Sequence, residues 1–125
     1  WSAQQKDTLL ITGHTHQPVF TSLTHIERLY KELQKAKLNN DLAAVVEIEK
    51  EIRKREIEFS AVSVDYLTMK PSYFNSGCCC FVDGDITGIE IADGDIRLIK
   101  WTLENESPQR QVLEQMPFEG LLKIL

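Results

Sequence analysis

The chain has 125 residues, 42% of them hydrophobic and 26% charged, with a formal net charge of −5. That length suits one small domain with a modest core. The acidic balance argues against a nucleic-acid partner, which calls for a basic excess. No apolar run approaches the ~20 residues of a membrane helix and no signal-peptide pattern opens the chain, so a cytoplasmic protein with no membrane contact is expected.

Residues 8–12, "TLLIT", are apolar, partly β-branched, and run into Gly13. They predict a buried strand. "GHTHQP" follows, with His14 and His16 one residue apart. From 22 to 58 the apolar spacing turns helical: Leu23, Ile26, Leu29, Tyr30, Leu33 and Ala36 share one face. "THIE", Thr24 to Glu27, fits a capping box. "LNND" breaks the pattern, and Leu42, Val45, Ile48, Ile52 and Phe59 mark a second helix. The pair predicts an αα-hairpin.

Past Phe59 the pattern is β. "AVSVDYL" alternates, and "SYFNSGCCCFV" reads as a strand pair or one strand bent at Gly77. Asp83-Gly84 and Asp93-Gly94 are hairpin signals between β-rich runs, so 78–103 predicts a three-stranded antiparallel meander. In the tail, Ser107 and Pro108 suggest the cap and first residue of a short helix. "GLLKIL" suggests a closing strand or a docking segment. The expectation is an α+β chain: a single domain, 1–125, in which three to five strands form one sheet with an inserted helix pair.

Few residues offer chemistry. Cys78, Cys79 and Cys80 are consecutive, which suits neither a disulfide framework nor a tetrahedral metal site. They read as small buried hydrophobes of a strand in a reducing compartment. On extended backbone, residues i and i+2 lie ~6–7 Å apart and face the same way. His14 and His16 would then serve two ions about 3.5–4 Å apart more naturally than chelate one; exposed loop histidines are the plainer reading. His25 reads as an exposed or capping residue at a helix start. "EKEIRKRE", 49–56, reads as a solvated helix face with Glu49–Arg53 and Glu51–Arg55 pairs. Asp83, Asp85, Asp93 and Asp95 read as turn residues, and Trp101 as core or interface.

"GHTHQP" after an apolar strand resembles the last signature of the calcineurin-like metallophosphoesterases. "YFNSGCCCFVDGDITGIEIADGDIRLIKW" is similar to the strands that close that family's domain. Together the blocks cover 8–20 and 73–103. The resemblance implies part of a four-layer αββα sandwich that hydrolyses phosphomonoesters or phosphodiesters. It implies two divalent metal ions (Mn, Fe or Zn), with His14 on one and His16 on the other. The ions would activate a bridging water to attack phosphorus. Asn75 and Gly77 match the family's N-x-G, with a structural role, and no further catalytic or cofactor-binding residue is assigned. The 22–58 hairpin departs from the simplest members as an insertion.

The family's other ligand motifs, Asp-x-His, a bridging Gly-Asp, Gly-Asn-His and a further histidine, precede Gly-His-x-His. Nothing among the twelve residues before Gly13 fits them, and no Asp-x-His occurs in the chain. Gly84-Asp85 and Gly94-Asp95 follow the histidines and fall in predicted turns. The chain therefore reads as a C-terminal fragment, inactive alone, whose partners are the N-terminal remainder of the domain and a phosphate ester substrate. The competing expectation is a non-catalytic interaction module using the helical hairpin or an exposed sheet edge, with self-association as its consequence.

Overall fold

A computed structural model describes residues 1–55, 67–79 and 84–125. The chain is α+β and divides into two compact units: residues 1–22 with 70–125, and residues 23–69. Among the described residues no helix is long and apolar enough to cross a membrane.

In the first unit, β1 (Leu10–Thr12) runs parallel to β2 (Tyr73–Asn75), with Thr12 opposite Asn75. The backbone groups of Ser72 and Ser76 face β1, bonding Leu10 and Thr12. Those of Tyr73 and Asn75 face the other way. Val19 and Asn75 exchange two backbone bonds of 3.0 and 2.9 Å, and Ser22 N–H donates to the Tyr73 carbonyl at 2.7 Å. The chain thus leaves β1, crosses the C-terminal end of β2, and returns antiparallel along the opposite edge of β2.

Three strands follow: β3 (Ile86–Ala92), β4 (Asp95–Glu104) and β5 (Ser107–Pro117), an antiparallel meander in the order β3-β4-β5. Its two hairpins turn on residue pairs with left-handed backbone. Asp93 and Gly94 have φ of 53° and 80°, Asn105 and Glu106 φ of 49° and 62°. Two successive left-handed residues match the twist of the strands they join. Ile96 and Leu98 of β4 point to one side and are buried with Phe20, Phe74 and Leu121. The Phe20 and Phe74 rings meet edge-to-face at 5.1 Å. A short helix, α3 (Phe118–Leu122), carries Leu121 into this core.

Several expectations are corrected. Among the described residues the strands fall in two sheets, a parallel pair and an antiparallel three, and not in one. The meander is real but shifted along the chain. Its third strand is 107–117, where a helix was expected, and Cys78 and Cys79 lie in no strand. Ser107-Pro108 begins a strand because Pro108 sits on the edge strand of the sheet, where a missing N–H costs no ladder bond. "GLLKIL" is the docking segment and not a closing strand. Trp101 is 40% exposed and so is not core. Strands expected over "AVSVDYL" and "CCCFV", the turn residue Asp83, and the helical positions 56–58 with Phe59 fall wholly or largely outside the described residues.

In the second unit, α1 (His25–Leu38) and α2 (Leu42–Arg55) bury Leu29, Leu33 and Ile52, flanked by Tyr30, Val45 and Ile48. The capping box forms: the Glu27 carboxylate accepts the Thr24 backbone N–H at 2.8 Å. Asp41 caps α2, its carboxylate accepting the Ala44 N–H at 3.1 Å. Arg55 donates to Glu51 at 2.9 Å, while Glu49 faces Lys37 across the pair. His25, the first residue of α1, is half-buried, and its buried Nε2 has no hydrogen-bond partner. Burial, then Arg55 and Arg28, lower its pKa from 6.5 to about 4.

Two predictions follow from this packing. Phe74→Ala is expected to cost about 3–5 kcal/mol in denaturant unfolding, because a fully buried ring leaves a cavity in the sheet core. His25 is favoured neutral in the fold, so its contribution is intact above the unfolded pKa of 6.5 and is lost as pH falls toward 4. His25→Gln should flatten that part of the decline in melting temperature between those pH values. Identical pH profiles for the two chains would refute this role.

Candidate metal centre

The site is built where β1 and β2 end side by side. Ligand-binding residues favour the carboxyl ends of parallel strands, where loops rise from a fixed scaffold. The end of β1 and the loop 13–18 lie against the segment after β2 and touch it at three points. The Thr12 carbonyl accepts Ser76 N–H at 2.9 Å, His14 N–H donates to the Gly77 carbonyl at 2.9 Å, and His16 Nδ1 lies 3.6 Å from Cys78 Sγ. Within the loop, the Thr15 hydroxyl donates to the Gln17 carbonyl at 2.8 Å.

Asn75 holds the two strand ends together from below. Its side chain is almost wholly buried. Nδ2 donates to the Thr12 hydroxyl at 2.9 Å and the Tyr73 hydroxyl at 2.8 Å, and Oδ1 accepts Gly77 N–H at 2.9 Å. The Thr12 and Tyr73 hydroxyls are 3.0 Å apart. This leaves Asn75 a structural clamp.

Gly77 has φ of +80°, and a Cβ there would lie 2.3 Å from Thr87 Oγ1 and 3.5 Å from Pro18. The Thr87 hydroxyl donates to the Ser76 carbonyl at 2.6 Å, tying β3 to the same turn. Close approach and left-handed backbone together require glycine.

His14 and His16 are both exposed. The sequence-based spacing argument assumed extended backbone. His14 instead has φ of 78° and lies outside any strand, so that alternation does not apply. Cys78 is buried as expected, but its contact with His16 was not foreseen; Cys79 is exposed, contrary to expectation. Only the position of Cys78 directly after the Gly77 turn hinted at the contact, and assigning it to a strand hid the hint.

Of the aspartates read as turn residues, Asp93 does form the β3–β4 turn, while Asp85 and Asp95 form ion pairs. Asp85 pairs with Lys100, and Asp95 with Arg97 at 3.0 Å. Glu90 is held below the usual carboxylate range by its hydrogen bond to Arg110, with Arg97 adding to it.

Imidazole nitrogens are suitable donors for first-row divalent ions. His14 and His16 thus fit as contributors to such a centre. Among the described residues no three His, Cys, Asp or Glu side chains gather where they could hold an ion. A two-ion centre on this loop needs further ligands. No known family profile, curated protein or solved structure matches the chain.

Asn75→Ala leaves the buried Gly77 N–H without its acceptor and takes the shared amide donor from the Thr12 and Tyr73 hydroxyls, which keep each other. It should cost about 1–3 kcal/mol or more and speed amide exchange at His14, measured by denaturant unfolding and hydrogen exchange. Unchanged protection at His14 would show that the clamp does not hold the loop.

Proposed function

We propose that the chain is the C-terminal portion of a calcineurin-like metallophosphoesterase domain, which hydrolyses phosphate mono- or diesters in its complete form. The observation that carries this reading is a meeting in space. The two blocks that bear the resemblance, around His14 and around Asn75, are 61 residues apart (75 − 14) and join at one strand end through Thr12–Asn75, His14–Gly77 and His16–Cys78. In this reading the parallel pair and the meander belong to the αββα sandwich, and the 22–58 hairpin is an insertion.

His14 and His16 would each offer one neutral nitrogen to one of two divalent ions, Mn, Fe or Zn. Such ions would supply an activated water and charge stabilisation for phosphate oxygens. The chain's own residues present the imidazoles: Asn75 and Gly77 fix the loop's base, and the His14 backbone bond sets its course. The remaining ligands would come from an N-terminal part of the domain, whose motifs the 125 residues do not contain.

A second reading, an interaction module, draws on a different surface. The register of the meander puts Ile86 beside Trp101, Ile99 beside Val112, and Leu103 beside Pro108 on one face. Ile86, Trp101, Leu103 and Val112 on that face are exposed. A second copy of the chain would cover such a face, or pair along the edge of β5.

Titration with zinc or manganese separates the readings. Under the first, calorimetry should detect weak binding that His14→Ala and His16→Ala abolish, and the chain alone should not turn over p-nitrophenyl phosphate or its bis ester. Binding that survives both substitutions would overturn the metal reading. Under the second, light scattering should show association that Trp101→Glu disrupts, and a monomer at high concentration would exclude it.

A further inference from the structure

We propose that two copies of the chain associate weakly by laying their β3-β4-β5 meanders face to face, and not by pairing along the edge of β5. This deepens the interaction reading given above and rests on it. Alternation along β4 sets Arg97, Ile99, Trp101 and Leu103 on the side away from Ile96 and Leu98, which are in the core. The half of this face nearer the β4–β5 turn is apolar and open. Ile86, Trp101, Leu103 and Val112 there are 40–65% exposed.

The other half is charged, and its charges cancel in place. Arg97 bonds Glu90 at 3.2 Å and Asp95 at 3.0 Å, and Arg110 reaches across β4 to the same Glu90. Gln115 adds a bond to Asp95. The register puts these two carboxylates and two guanidinium groups on one face, and each has an opposite charge beside it. An unpaired charge is costly to cover, and this face has none to cover. The edge of β5 is defended instead. Pro108 and Pro117 offer no backbone donor, and the irregularity at Leu113 interrupts the strand between them.

Size and symmetry fix the occupant. Three strands of about ten residues make a face of roughly 33 Å by 14 Å, or about 500 Å². Two copies would cover about 1,000 Å², the lower limit of a specific interface and short of the ~1,200–2,000 Å² of stable ones. A second copy brings a face of the same size with the same cancelled charges. A two-fold axis along the strands lays apolar half on apolar half, as in an aligned pair of sheets.

The test is sedimentation equilibrium of the 125-residue chain up to millimolar concentration, with methyl NMR and amide exchange on the same samples. Association is expected, with the Ile86, Leu103 and Val112 methyl signals shifting as concentration rises and the β5 amides that point away from β4 exchanging as fast as before. Trp101→Glu and Leu103→Lys, each checked for a native amide spectrum, should weaken association about 30-fold or more. Association that survives both substitutions, or that slows those β5 amides, overturns face-to-face pairing and leaves the interaction reading standing on another surface. A monomer at every concentration overturns that reading itself, and this pairing with it.

Discussion

The sheet unit depends on one side chain, Asn75, at the point where two strands end. Parallel strands need a connection that leaves one end of the pair and returns to the other. Here the helical unit lies within that connection, and β1 and β2 share only three residue pairs. So short a ladder is a weak clamp. Asn75 adds side-chain bonds across it, to Thr12 on one strand and to Tyr73 and Gly77 on its own segment. The amide is almost wholly buried, and its bond with Gly77 N–H lies away from water, so losing it leaves a desolvated group behind. The histidine loop inherits its position from this arrangement: its first bond to the underlying turn goes to Gly77, the residue Asn75 holds.

How much of this was legible in the sequence varies with the range of the interaction. The helical pair was readable because its signals are local. Apolar spacing, a capping box at Thr24 and Glu27, and a polar break need no distant partner to be recognised. Asp93-Gly94 was readable for the same reason. Asn105-Glu106 was not, since Glu is an uncommon left-handed residue, and without that turn the run from Ser107 resembles a capped helix. Its pairing with β4 from Ser107 to Pro117 decides the outcome: strand contacts outweigh a weak local preference. The pairing also contains an irregularity between Leu98 and Ile99. These residues oppose Glu114 and Val112, leaving Leu113 as the extra residue, so β5 never shows the clean alternation a reader would look for.

The site was legible in its residues but not in its geometry. His14 and His16 stand out by type and spacing, and Gly77 by its place after Asn75. The contact of His16 with Cys78 spans 62 positions and has no local signature. The extended-backbone assumption failed at His14 because Gly13 does not take the turn itself. A Cβ at residue 13 would already press on Ser76 Oγ at 3.0 Å. Close approach, not a left-handed turn, explains that glycine, and the turn falls to the histidine that follows.

That displacement bears on what the loop is for. A residue with a Cβ in the left-handed region costs roughly 1–2 kcal/mol relative to the right-handed form. Glycine would remove the cost at position 14. The nearby Ser22, also left-handed at φ of 63°, recovers its strain through its hydroxyl, which donates to the Lys70 carbonyl and accepts Tyr73 N–H. At His14 the backbone N–H bonds the Gly77 carbonyl, which glycine would do equally well. The side chain therefore brings strain that this backbone bond does not require. Strained side-chain-bearing residues concentrate at functional sites, where the side chain is what the site needs. Left-handed residues with side chains also form the turns at Asp93 and at Asn105–Glu106, so at His14 the conformation fixes the course of the loop while the imidazole stays exposed.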